Sequence, residues 1–170
     1  GKRRLLYVML NPSKATELRN DPTIERCERR ARQSGYGTLH ICNLFAWRET
    51  SPAALRKARH PIGPDSDCQV LNIAPQADTI LCAWGVHGAH RGRGASVAAL
   101  LRKGSLELSH LGLTKDGHPR HPLYLPYDVR PQTWGPNGTH QVICCFRGLT
   151  PPTCLPNSPD GRPNTQLRFP

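Results

Sequence analysis

Residues 5–10 (LLYVML), followed at once by residues 11–13 (NPS), decide the fold of this chain. Six consecutive apolar residues with basic residues before them predict a buried β-strand. Pro12 has no amide hydrogen and biases Asn11 toward an extended backbone, so the strand ends there. Ligands of open α/β sheets bind at the carboxyl edge of the strands, where Asn11 would present its amide. A simple turn at 11–13 is the alternative interpretation.

Three later segments repeat the design of an apolar strand that ends in a polar or glycine residue. Strands that alternate with helices predict right-handed crossovers and a parallel sheet covered by helices. The sequence therefore predicts an α/β fold with a four-stranded, mainly parallel sheet sandwiched by helices. The predicted strands are 5–10, 38–42, 79–84 and 106–111, and the predicted helices are 22–34, 51–59, 64–74 and 95–103.

The 170 residues suit one domain, which we expect over residues 1–130. Residues 131–170 are crowded with proline and glycine and lose all periodicity, apart from a possible short strand at 141–146. This part of the chain is expected to form an irregular tail.

The composition favours a polyanionic partner. Lys and Arg outnumber Asp and Glu by 23 to 12, which gives a net charge of +11. Such a charge favours binding to nucleic acid, although a basic surface with no specific partner is the plain alternative. We expect DNA as the partner and a monomeric protein.

The seven cysteines include no Cys-x-x-Cys pair, so the usual spacing of zinc and iron–sulfur ligands is missing. Cys27, Cys42 and Cys82 fall on apolar faces, where cysteine behaves as a small hydrophobe. The odd count and the lack of a signal sequence predict a reducing, cytoplasmic setting. No apolar stretch reaches the roughly 18 residues of a membrane span, so no membrane partner is expected.

Polar residues follow each predicted strand. If the strands are parallel, Asn11, Asn43, the pair at 84–85 and His118 converge on one edge of the sheet. Phe45, Trp47 and Trp84 also lie at strand ends. Beside an asparagine, such aromatic side chains are the parts of a base-stacking pocket, although core packing is equally open for Phe45.

The glycine-rich stretch 85–94 matches neither a Walker loop nor a dinucleotide fingerprint. Glycines and arginines before a helix can hold a phosphate through backbone amides, so a sequence-independent clamp on DNA is one interpretation and a flexible loop the other. The histidine pairs at 87 and 90 and at 118 and 121 have no third ligand evident in the sequence. No metal or other cofactor is therefore expected.

In their order along the chain, the motifs at 10–13, 43, 83–85 and 118–119 resemble those of the uracil-DNA glycosylase superfamily. The chain looks most like an uncharacterised bacterial family within that group, a domain of unknown function numbered 1643. The resemblance covers roughly residues 4–127 and implies a uracil-DNA-glycosylase-like fold and removal of a damaged or modified base by flipping and hydrolysis. A lysine nucleophile for a lyase, at Lys115, ranks low.

Roles follow from this resemblance residue by residue. Asn11 and His118 would be catalytic: Asn11 would orient the attacking water and His118 would stabilise the departing base. An aspartate occupies the first position in the most active members, and a second His-Pro pair leaves His121 as an alternative to His118. Contacts with the base are expected from Asn43, Phe45, Trp47 and Trp84, and contacts with the DNA backbone from Ser13, Gly88, Arg91, Arg93, Arg120 and His121.

Two other classes of function stay open. One is a nucleic-acid or nucleotide-binding module that keeps the fold without the chemistry, which the missing carboxylate at position 11 favours. The other is a small-molecule N-glycosidase or phosphohydrolase that uses the same strand-end pocket.

Overall fold

The computed structural model describes residues 2–13, 21–135 and 165–169. Its helices and strands follow the predicted alternation, with bounds that differ by a few residues. Short 3-10 segments lie at Ala74–Gln76, Val86–Gly92 and Pro122–Tyr124. In chain order the elements are β1 (Arg3–Met9), α1 (Pro22–Gln33), β2 (Tyr36–Asn43), α2 (Pro52–Lys57), α3 (Ser66–Ile73), β3 (Thr79–Cys82), α4 (Arg93–Lys103), β4 (Leu108–His110), β5 (Gln132–Thr133) and β6 (Thr165–Arg168).

The sheet has the strand order β5-β4-β3-β1-β2-β6. Its four inner strands are parallel, as predicted. The outer strands β5 and β6 run antiparallel to their neighbours. The sheet is therefore a mixed sheet of six strands, and the prediction of four is wrong in number.

Both additional strands fall inside the segment that was expected to be an irregular tail. Backbone pairing places them there: β5 lies beside β4, and Trp134 N donates to Leu108 O at 2.6 Å. Two-residue and four-residue edge strands are too short to give a periodic signal in the sequence. The possible strand at 141–146 lies outside the described residues.

Helices cover both faces of the sheet because β1 is apolar on both sides. Leu6, Val8 and Leu10 belong to one core cluster, into which α2, α3 and α4 also send buried side chains. Leu5, Tyr7 and Met9 belong to the other, together with residues of α1. Such a run of buried residues is the pattern of a central parallel strand. The prediction of an α/β sandwich is confirmed at this level.

Part of the positive charge has a structural task. Arg30 of α1 is only 3% exposed. Its guanidinium donates to four carbonyl groups, and those carbonyls fasten the segment after the last 3-10 turn to α1. The acceptors are the carbonyl oxygens of Leu125, Pro126, Tyr127 and Val129.

The buried cysteines pack as predicted. Cys27, Cys42 and Cys82 are free thiols within the core. Burial raises the pKa of both Cys27 and Cys42 to about 12, and burial also raises the pKa of Cys82. Within the described ranges, none of the helices has the length and the apolar character needed to cross a bilayer.

Candidate functional site

The carboxyl ends of the four parallel strands lie along one edge of the sheet. Met9 of β1 is paired with Asn43 of β2, and Cys82 of β3 is paired with Val8 of β1 and with His110 of β4. The chain passes from β1 to β2 on one side and places β3 on the other. The boundary between β1 and β3 is therefore the switch point where ligands bind in sheets of this type.

The Asn11 side chain is occupied by the protein backbone. Its Nδ2 lies 2.6 Å from Glu49 O, 3.2 Å from Trp47 O and 3.1 Å from Pro12 O. Two amide hydrogens thus serve three carbonyl groups and hold the loop after β2 against the end of β1. The amide hydrogens are not available to a water molecule, so the predicted catalytic role does not fit this part of the side chain.

Asn43, at the end of β2, is half-buried. Its carboxamide makes no hydrogen bond to any other described residue, and the neighbouring Leu44 O accepts from Arg93 Nε at 2.9 Å. The amide is therefore free of partners among the described residues, and its contact with a base stays a prediction.

We call the strand-end region at the switch point the β1–β3 crevice. It holds two neighbouring pairs of residues, Ser13 with Asp21 and Gly85 with His121. Ser13 Oγ donates to Asp21 Oδ2 at 2.5 Å, while Asp21 Oδ1 accepts from Thr23 N at 2.8 Å. Gly85 has a φ of +68°, and a Cβ built on it would lie 3.6 Å from His121 Cβ. The sequence gives Asp21 only as a helix cap, yet it brings a carboxylate to the crevice.

The environment of His121 favours a neutral imidazole with its proton on Nε2. Burial lowers the pKa of His121, nearby Asp21 opposes this shift, and His87 adds to it. Nδ1 accepts from Leu123 N at 3.3 Å, which assigns the ring proton to Nε2. An N–H donor and a carboxylate therefore lie close enough in the crevice to influence each other electrostatically.

His118 lies at a different place from His121. Its backbone amide donates to Thr114 Oγ1, and its side chain lines a cavity of about 450 Å³. The indole rings of Trp84 and Trp134 form part of its wall, with centroids 5.6 Å apart, and we call it the tryptophan cavity. His118 therefore lines the cavity, whereas His121 is not among the lining residues, so the two histidines between which the sequence leaves a choice differ in position.

The remaining walls of the tryptophan cavity are small or charged. Arg102 donates to Trp134 O at 3.0 Å, and its guanidinium lies 4.8 Å from the Trp134 ring centroid. Sequence reasoning missed both residues, since Trp134 falls in the predicted tail and Arg102 on a helix face. The other lining residues are Gly88, Ala89, Gly92, Gly94, Ala95, Ala98, Asp116 and Gly117.

The predicted stacking residues differ in access. Phe45 is fully buried, and its ring centroid lies 5.6 Å from that of His90. Trp84 is 1% exposed and reaches the cavity only as part of its wall, while Trp47 is 50% exposed. Phe45 therefore offers no free ring face, and Trp47 retains one.

Two of the residues predicted to contact the DNA backbone instead hold the protein fold together. Gly88 is buried, and a Cβ there would overlap the Trp84 indole. Arg93 is 6% exposed and is paired with Asp67 as well as with Leu44 O. A buried and paired guanidinium cannot reach a phosphate, so the interpretation of Arg93 as a DNA contact does not fit.

Arg91 and Arg120 are both exposed. The Arg91 guanidinium donates to Ala58 O at 3.0 Å and to Arg59 O at 3.1 Å, and Arg91 has a positive φ of 54°. The Arg120 backbone amide donates to Gly112 O at 3.0 Å, while its guanidinium forms no hydrogen bond or ion pair with the rest of the described chain. Of the predicted phosphate contacts, Arg120 is therefore the side chain that keeps a free guanidinium.

The described part of the chain contains no group of three or more His, Cys, Asp or Glu side chains arranged to hold a metal ion.

Comparison with known proteins gives one match. A family model with the description "Protein of unknown function (DUF1643)" matches residues 1–123. No curated protein and no solved structure matches the chain. The match covers β1 to β4, the β1–β3 crevice and most of the tryptophan cavity. It does not link the chain to the uracil-DNA glycosylase superfamily.

Proposed function

We propose that this chain, which belongs to the DUF1643 family of proteins of unknown function, is an N-glycosidase that releases a base from DNA. The observation that carries the proposal is a buried imidazole, His121, which lies against Gly85 at the end of β3, carries its proton on Nε2 and feels the charge of the Asp21 carboxylate. The order of motifs that resembles the uracil-DNA glycosylase superfamily supports the same activity.

The chemistry of glycosidic cleavage needs a donor and an anion on opposite sides of one bond. As the C–N bond breaks, its electron pair moves onto the base and positive charge develops on the sugar. His121 Nε2–H stabilises the negative charge on the departing base. The Asp21 carboxylate stabilises the cationic sugar, and a water oxygen then forms the new bond to the sugar carbon. The proton that the water loses balances the charge on the released base.

The tryptophan cavity receives the base in this proposal, with His121 at its entrance, because Trp84 in the cavity wall is followed by Gly85, which lies against His121. Its volume of about 450 Å³ lies within the usual range of small-molecule sites. Indole rings and small side chains suit a flat heterocycle, and His118 and Asp116 supply polar contacts at its edge. A base within a duplex must be flipped out to reach such a cavity, at a cost of a few kcal/mol.

The net charge of +11 would attract the negatively charged phosphates of DNA. Arg120 is next to His121 in sequence and keeps a free guanidinium among the described residues. Trp47, at the same edge of the sheet, offers an exposed ring for a neighbouring base. We therefore expect affinity for DNA to fall steeply as salt rises.

A screen of oligonucleotides tests the activity. Each oligonucleotide carries one damaged or modified base, in duplex and in single-stranded form, and alkaline cleavage reveals abasic sites. We expect release of at least one base by the natural chain and a large loss with Asp21→Asn. An Asp65→Asn variant is the matched control, because Asp65 is exposed and its side chain caps no helix. Absence of base release from every substrate would refute the proposal.

A non-catalytic nucleic-acid-binding module is the second candidate, and the occupied amide of Asn11 favours it. Because three backbone carbonyls engage Asn11 Nδ2, the first motif positions the protein's own loop. Salt-dependent binding to DNA without base release in the screen would select this candidate.

A further inference from the structure

A second, smaller hollow lies beside the crevice and has no task in the proposed chemistry. It has a volume of about 290 Å³ and is formed by the end of α2 and the turn after β3. We call it the histidine hollow. Its lining residues are Arg56, Val86, His87, Ala89 and His90.

The polar groups of the histidine hollow are all basic. Arg56 is exposed, and no described carboxylate pairs with it. His87 is half-buried without a hydrogen bond to another described side chain, and His90 Nε2 is buried with no partner among the described residues. With no acid between them, the Arg56 guanidinium and the His87 imidazole present N–H groups to an anion, and the unpartnered His90 Nε2 lies in the wall beside them.

The histidine hollow is linked electrostatically to the crevice. Burial lowers the pKa of His87, and the Arg56 charge lowers it further. The charge of His87 in turn lowers the pKa of His121. An anion in the hollow would oppose both effects, so its binding should be visible at both imidazole rings.

We propose that the histidine hollow binds a phosphate group of the substrate and places it next to His121. This inference rests on the proposed function, because the phosphate would belong to the nucleotide whose base is released. A single tetrahedral anion suits a small hollow lined by three basic side chains, whereas the tryptophan cavity suits a flat ring. A phosphate subsite makes a nucleotide, in a strand or free, the substrate class and excludes an unphosphorylated nucleoside.

The first test uses inorganic phosphate as the probe. NMR spectra of the imidazole rings are recorded as phosphate is added to the full chain at constant ionic strength. We expect saturable shifts of the His87 and His90 resonances, and a raised pKa of His87. In Arg56→Gln the apparent affinity should fall roughly tenfold, as expected for one lost charged hydrogen bond. In Lys57→Gln, the matched control one residue along α2, it should be unchanged.

The second test identifies the source of the phosphate. Binding of a single-stranded oligonucleotide, a nucleoside 5′-monophosphate and the corresponding nucleoside is compared between the natural chain and Arg56→Gln. Weaker binding of the oligonucleotide alone assigns the phosphate to a strand, and a loss of about one unit in the salt slope should accompany it. Weaker binding of the monophosphate as well assigns it to a free nucleotide, and nucleoside binding should not change in either case.

The outcomes separate this inference from the proposed function. Phosphate binding that depends on Arg56 in a protein that releases no base supports the subsite and refutes the glycosidase. If the chain releases a base but its His87 and His90 resonances do not shift when phosphate is added, the glycosidase is supported and the phosphate subsite is overturned. Equal losses in Arg56→Gln and Lys57→Gln would also overturn it, because general charge would then explain the binding.

Discussion

The ends of β1 and β2 are alike in sequence and differ in structure. Each strand is apolar and is closed by an asparagine, Asn11 after β1 and Asn43 at the end of β2. Asn11 donates to three backbone carbonyls and fastens the loop that follows β2. At the end of β2 the backbone is held instead by Arg93 of α4, which donates to Leu44 O. Asn43 therefore keeps an unoccupied amide among the described residues.

From this difference we infer that an asparagine at a strand end can bind a ligand only if other groups donate hydrogen bonds to the nearby backbone carbonyls. Carbonyl groups that leave a sheet need donors, and a buried carbonyl without one is costly. Asn11 gives its amide hydrogens mainly to the loop after β2, while the carbonyl beside Asn43, Leu44 O, accepts from an arginine that is distant in sequence. The asparagine that can contact a ligand is thus the one whose structural task another residue performs.

Removal of Arg93 should have the largest effect on stability. Arg93→Ala leaves the Leu44 carbonyl without its donor and Asp67 without its ion-pair partner. We expect a loss of about 3 kcal/mol in the free energy of unfolding, the low end for a broken buried pair, because Asp67 is half-exposed. Urea unfolding measures it, with Arg91→Ala as the control that should lose less. Equal losses would mean that Arg93 does not hold the β2 end.

Removal of Asn11 should rank second. Asn11→Ala removes the side-chain donor from the Trp47 and Glu49 carbonyls, while Pro12 O keeps its bond from Glu49 N, and we expect a loss of about 1–3 kcal/mol in the free energy of unfolding. Asn43→Ala is the matched control and should stay within about 0.5 kcal/mol of the natural chain. Asn11→Asp sharpens the comparison, because a carboxylate facing three carbonyl oxygens should be at least as destabilising as alanine. If Asn43→Ala is the more damaging change, the comparison between the two strand ends is wrong.

Much of the fold could be predicted from local sequence. The apolar runs 5–10, 38–42 and 79–84 and the proline-marked start of α1 give the inner strands and helices. Parallel pairing follows from their alternation. The two edge strands could not be predicted, because their places depend on backbone hydrogen bonds to β4 and β2 and not on periodicity.

The candidate site was predictable only in its location. Convergence at the carboxyl edge follows from parallel strands, and it brings Asn43, Trp84 and the two His-Pro pairs to that edge. The availability of each side chain could not be read from the sequence. Burial of Phe45, the ion pair of Arg93 and the presence of Asp21 in the crevice each depend on contacts between distant parts of the chain.

The pH dependence of stability should give the smallest effect and should separate the crevice from both strand ends. Burial lowers the pKa of His121 and His110 below the usual value near 6.5. The unfolded chain therefore binds more protons as pH falls below about 6.5, and the free energy of unfolding should decline there. It should be constant between about pH 7 and 8, above which ionisation of the cysteine thiols in the unfolded chain also lowers it, because burial raises the pKa of Cys27 and Cys42 in the folded chain.

Asn11 and Arg93 do not titrate in this range, so the decline should be the same in Asn11→Ala as in the natural chain and shallower in His121→Gln. Urea unfolding at several pH values measures the decline. If Asn11→Ala changes the slope of stability against pH and His121→Gln does not, the titrating group is not His121 and this explanation is wrong.

The most direct test of the central claim is the single-turnover rate of base release by His121→Ala and His118→Ala, measured on a substrate found in the screen. Thermal unfolding confirms that both variants are folded. We predict a loss of roughly 10² to 10³-fold for His121→Ala, as for other groups that stabilise a developing anion, and a loss of less than about tenfold for His118→Ala. A folded His121→Ala variant that releases the base at the natural rate would contradict the account.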